Sequence, residues 1–173
     1  HLSDFIKGAE ERIFKTVDLE FFRKNVTAAT TASNRFLAVP TDYLASFSLS
    51  VTSSSNKSFL LQKDVNYIEE YNPNASTTGL PQYYALFDVE NFILSPTPDQ
   101  AYSVELHYYF RPNSLTTGSD SGTTWLSTNA PFAMLYGSLI EAYIFMKGEP
   151  DVMKMYNDRF MESLLRLKEY GEA

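Results

Sequence analysis

The order of apolar and polar positions divides the chain into a helical start, a β middle and a helical end. Phe5, Ala9, Ile13 and Val17 recur every four residues as one helical face, which Ile6 and Phe14 widen. Ser3 stands where a cap belongs and Asp4 suits the positive end of the helix. The pattern fades between Thr16 and Leu19. The middle then runs with period two. A strand opens between Glu20 and Thr27, and Arg35 to Val39 is short, apolar and stopped by Pro40. From Tyr43 to Val51, Phe47, Leu49 and Val51 fall on one side and Ser46, Ser48 and Ser50 on the other. Ser53 to Lys57 reads as a polar turn, across which Phe59 to Leu61 pairs back. Asp64 to Tyr71 fits either a short helix or a strand, and Asn72 to Gly79 is loop.

Tyr83–Phe87 and Asn91–Leu94 flank a turn at Asp88–Glu90, and Pro96, Pro98 and Asp99 make the next turn. Tyr102 to Phe110 alternates throughout. Tyr102, Val104, Leu106, Tyr108 and Phe110 share one face, and Ser103, Glu105, His107 and Tyr109 share the other. A polar face of that kind predicts an antiparallel sheet with one wetted side. Arg111 to Asn129 reads as a loop through Gly118–Gly122 that carries Trp125. It is long against the median connection of about 4–6 residues, and long loops are often functional. Trp125 is either an interface anchor or an aromatic tucked onto its own core. Asn129 and Pro131 open a helix to Lys147 in which only Glu141 and Lys147 are charged, so it is expected to be buried on most faces. Ala133, Gly137, Ser138 and Ala142 give it a narrow side. Gly148 ends it, and Pro150 starts a second helix with the stripe Val152, Met155, Tyr156, Phe160, Leu164 and Leu167.

The resulting expectation is α+β: an N-terminal helix packed with a C-terminal antiparallel helical hairpin, with an inserted antiparallel β-sheet domain. Residues 1–173 form a single domain, with 1–19 and 129–173 helical and 20–128 the β insertion.

Composition narrows the chemistry. The chain has 173 residues, a net charge of -7 and no cysteine. Disulfides, thiolate metal sites and cysteine nucleophiles are therefore excluded. The acidic balance disfavours broad nucleic-acid affinity, which needs clustered Lys and Arg. No apolar run reaches the about 20 residues of a membrane span, and no signal-peptide pattern opens the sequence. The chain starts at His1 rather than methionine, as a trimmed product would. Only two histidines occur, His1 and His107, and no Walker, zincin, nucleophile-elbow or dinucleotide motif is present. Glu69 with Glu70, and Asp88 with Glu90, are the nearest thing to catalytic carboxylate pairs, and solvated surface explains them as well. No enzyme activity, cofactor or metal is expected. Tyr83, Tyr84, Tyr102, Tyr108 and Tyr109 gather on the β part, where strand propensity, a protein interface or a carbohydrate-binding platform would each use them.

Three stretches resemble one known family. Gly79-Leu80-Pro81-Gln82-Tyr83-Tyr84-Ala85-Leu86 continues through Phe92-Ile93-Leu94-Ser95-Pro96-Thr97-Pro98-Asp99 to Tyr102 and Tyr108-Tyr109. Trp125-Leu126-Ser127 leads into Pro131-Phe132-Ala133-Met134-Leu135-Tyr136-Gly137-Ser138-Leu139-Ile140-Glu141-Ala142. Ala9-Glu10-Glu11-Arg12-Ile13 stands in the opening helix. In that order they are similar to the head-to-tail adaptor proteins of tailed bacteriophages. The resemblance implies a structural virion protein at the head–tail junction, assembled in the host cytoplasm, and no membrane. It implies a ring of neighbouring copies, twelve-fold to match the portal, bound to the portal protein on one side and a tail or nozzle protein on the other. DNA would pass through the channel without sequence-specific binding. Trp125, Leu164, Leu167 and Tyr170 are the candidate portal or subunit contacts, with closure of the helical bundle as the other use of Leu164 and Leu167. A carbohydrate-binding or adhesion module on the tyrosine-rich sheet is the alternative function.

Overall fold

The computed structural model describes residues 1–17, 22–117 and 122–172, the last three by backbone alone. The chain is α+β, with two compact units: residues 1–21 with 112–173, and residues 22–111.

In the helical unit, α1 (Leu2–Thr16) packs on α4 (Pro131–Met146), and α4 packs on α5 (Pro150–Glu172). Ala9, Ile13 and Val17 are buried, as their spacing requires. Helix α1 begins one residue before Ser3, so Ser3 lies in the first turn and does not cap it. Helix α1 ends at Thr16, within the Thr16–Leu19 range expected for its end, and residues 18–21 lie outside the described residues. Glu10, which falls outside the apolar stripe of α1, is nonetheless buried, and its Oε1 accepts a hydrogen bond of 2.8 Å from the Leu115 backbone amide. A buried carboxylate needs such a donor, and this one ties the segment after residue 111 to α1. Arg12 forms an ion pair with Glu141 of α4.

The expected loop from Arg111 to Asn129 is partly helical. A 3-10 turn spans Leu115–Thr117 and a short helix, α3, spans Trp125–Asn129. Thr124 caps α3 reciprocally: its side chain accepts from the Ser127 amide, and the Ser127 hydroxyl accepts from the Thr124 amide. Asn129 therefore closes α3 instead of capping α4, whose cap position is Ala130. Gly118–Ser121 lie outside the described residues. At the far end of α4 the left-handed residue is Lys147 (φ 53), not Gly148. Gly148 is needed for a different reason, since a Cβ there would meet the Tyr143 ring at 2.1 Å.

The β unit holds two four-stranded sheets. The first runs β1 (Arg23–Ala29), β10 (Ser103–Phe110), β3 (Tyr43–Ser53), β4 (Asn56–Phe59), all antiparallel. The second runs β2 (Phe36–Ala38), β8 (Asn91–Ser95), β7 (Tyr83–Leu86), β5 (Leu61–Gln62), with β5 and β7 parallel. A further parallel pair joins β6 (Thr78–Gly79) to β9 (Thr97–Pro98). One core takes Leu49, Val51, Val104, Leu106 and Tyr108 from the first sheet and Leu37, Tyr84, Phe92 and Leu94 from the second. Asp64 to Tyr71 resolves as a helix, α2 (Val65–Tyr71), whose Ile68 covers Ala85 and Ile93 on the other face of the second sheet. That is why Phe92-Ile93-Leu94 is apolar without a break: both faces of β8 are covered.

One expectation about the first sheet fails. Phe47 does not share the side of Leu49 and Val51. The register between β10 and β3 slips at this point, pairing His107 with Ser48 and Tyr108 with Ser46. Phe47 is the extra residue of a bulge, and a one-residue slip changes which face a side chain joins. Its ring lies 4.9 Å from His107 and 6.5 Å from Tyr109, half exposed on the polar face.

Candidate functional site

The feature most in need of a function is the apolar surface of the helical unit. Helix α4 buries Ala133, Met134, Gly137 and Ile140. Gly137 is where its neighbours come closest, because a Cβ there would lie 2.9 Å from the Ala9 Cβ and 3.0 Å from the Phe160 ring. The expectation that α4 is buried on most faces is not met within one chain. Phe132, Leu135, Ile144, Phe145 and Met146 are each half or more exposed. Phe132, Leu135, Leu139, Ala142 and Met146 follow a 3-4-3-4 spacing, which is the seam one helix offers to another. Helix α5 turns Met155, Met161 and Leu165 outward as well. An isolated soluble domain rarely leaves apolar side chains exposed in such continuity, and where it does they mark an interaction surface.

The candidate contact residues sort differently. Leu164 and Leu167 are buried within the helical unit, at 4% exposure each. Trp125 is half-buried at the first position of α3. The Tyr170 side chain lies outside the described residues, on the last turns of α5. Sequence reasoning passed over the outward residues of α4, because a helix apolar all round gives no sign of which side faces a partner. The usable signal was the opposite one: the small residues Ala133 and Gly137 mark the side that packs.

The β unit carries charged and aromatic groups in a fixed arrangement. On the polar face of the first sheet the Arg23 guanidinium lies over Phe47 and Tyr109, 4.8 and 5.1 Å from the ring centres. Glu105 accepts from Asn25 and pairs with Lys57, and those bonds hold its carboxyl below the usual range. At one end Asp42 accepts from Tyr108 at 2.7 Å and from Lys24. Burial alone would raise the Asp42 carboxyl, but the two hydrogen bonds and the Lys24 charge outweigh it and hold it low. Burial first, and then the Asp42 carboxylate, pushes the Tyr108 phenol up to about 12. Tyr67 and Tyr71 of α2 stack on each other, and both meet the Tyr83 ring of the second sheet edge-on, with ring centres 5.0 to 6.1 Å apart. Among the described residues no group of three or more His, Cys, Asp or Glu side chains is placed to hold a metal. No described helix is long and apolar enough to cross a membrane.

The helical unit displays apolar helix faces that one chain leaves uncovered. The sequence matches the SU10 adaptor protein family over residues 2–173, and the chain belongs to that family. It is a phage structural adaptor of the head–tail junction. No curated protein matches the sequence.

Proposed function

We propose that copies of this chain form a ring between the capsid portal and the tail. The ring is twelve-fold to match the portal, with portal protein on one side and a tail or nozzle protein on the other. DNA passes through its channel during packaging and ejection, and the protein catalyses nothing. Family membership over residues 2–173 is the observation that carries this reading. The exposed apolar face of α4 supports it, since a ring provides the neighbour that face lacks in one chain. The net charge of -7, repeated around a channel, would repel phosphates and let the duplex slide. The portal or subunit contact is proposed to run along α3 and the end of α5, where Trp125, Leu164, Leu167 and Tyr170 stand. Leu164 and Leu167 pack inward there, so Met161 and Leu165 supply the exposed apolar surface of that region.

The test is light scattering after size exclusion, on the chain alone and mixed with the portal from the same genome. The expected result is a shift of the chain into a complex of ring mass on the portal. No binding to a correctly assembled portal overturns the reading, and binding on a glycan array would instead favour a carbohydrate-binding function.

A further inference from the structure

The turn between β7 and β8 carries the most exposed large apolar side chain among the described residues. Val89 is 89% exposed and stands between Asp88 and Glu90. Leu86 and Phe87 beside it are also more than 40% exposed. The turn is not loose. Asp88 Oδ1 accepts from the backbone amides of Glu90 and Asn91, both at 2.7 Å. The Glu90 carbonyl accepts from the Val39 amide at 2.7 Å, and the Phe87 ring rests 5.2 Å from Phe36. The amide of Glu90 is the leading reason the Asp88 carboxyl stays below its usual range, so the tip keeps its negative charge. A rigid apolar knob with acidic shoulders loses little freedom on docking.

The helical unit offers the complementary shape. Helices α1, α4 and α5 border an open groove of about 450 Å³, lined by the apolar side chains of Ile140, Ile144 and Met153. Arg12, Lys154 and Asn157 line it as well, and among the described residues no carboxylate does. Arg12 is already paired with Glu141, which leaves Lys154 as the cation that meets an incoming acid.

We infer that the Val89 tip of one copy docks in the Ile140–Ile144–Met153 groove of the next copy, with Glu90 facing Lys154. This rests on the ring reading and names one of its contacts. The contact is heterologous: knob and groove are different surfaces, so each copy uses one and offers the other, and repetition gives a ring where the rotation closes, as the ring reading requires. Charge complementarity at this contact sets the register and disfavours other partners.

The chain has no cysteine, so a pair of introduced thiols reports without background. A Val89→Cys chain and a Met153→Cys chain are mixed, assembled with portal and oxidised. The expected product is a disulfide-linked dimer, and the double variant gives a ladder of linked copies. Glu90→Lys and Lys154→Glu should each weaken assembly by about tenfold, and the two together should restore it. A ring of native mass with no linked dimer, or a double variant linked only within its own chain, overturns the docking and leaves the ring standing. If the unmodified chain forms no ring on the portal, the ring and the docking both fall.

Discussion

A methyl group at position 137 would sit 2.9 Å from the Ala9 Cβ and 3.0 Å from the Phe160 ring, closer than side chains tolerate. A glycine inside a helix costs about 1 kcal/mol against alanine, so its presence in α4 reports close packing on both neighbours. Gly137→Val is expected to destabilise the helical unit by about 1–3 kcal/mol, read as a lower Tm by circular dichroism. An unchanged Tm would mean α1 and α5 do not approach α4 this closely. In the β unit, Tyr108 titrates far from its ordinary value of 10.0, at about 12. The fold favours the protonated phenol. Its stabilisation is therefore complete below pH 10.0 and is lost as pH rises to about 12. Denaturant unfolding followed across that range should show stability falling. Tyr108→Phe should flatten the fall without removing it, because burial also raises the Tyr84 phenol. At the acid end the sign reverses. Asp42, held low by Lys24 and Tyr108, contributes stability that is lost as pH falls through its depressed value, below the ordinary 3.8.

At the scale of elements, Ile68 is the side chain by which α2 covers the second sheet, at 0% exposure over Ala85 and Ile93. Ile68→Ala is expected to cost about 2–5 kcal/mol, with α2 amides gaining hydrogen exchange before those of β8. Equal exchange in both would contradict α2 as a separate cover. Helix, strand and order were legible wherever one face is wet. Val104, Leu106 and Tyr108 point inward and Glu105 and His107 outward, as alternation alone required. Phe47 was not legible, because a bulge shifts parity by one residue and nothing in Ser46-Phe47-Ser48 marks it. Helix α3 was missed because it is five residues long and its capping box closes with Ser127 in place of the usual acid or amide. The burial of Glu10 was not legible, because the partner that allows it, the Leu115 amide, is 105 positions away in sequence. The inward side of α4 was written in Ala133 and Gly137. The outward side carried no local signal, since a helix apolar all round does not mark which of its faces stays uncovered.

For the whole molecule, substitutions on the exposed seam of α4 can test assembly apart from folding. Phe132→Asp with Leu135→Asp replaces two exposed apolar side chains and no buried one. The doubly substituted chain is expected to keep its Tm within about 0.5 kcal/mol of equivalent stability, as surface changes do, while losing ring formation on the portal. Loss of folding would place these side chains in the core of the single chain instead. The central claim is that this adaptor closes a ring on the portal, and electron microscopy of the complex purified with portal from the same genome tests it most directly. The expected image is a ring of chain copies coaxial with the portal, at its tail-facing end and matching its symmetry. Portal particles bare at that end, or carrying copies in numbers unrelated to portal symmetry, would contradict it.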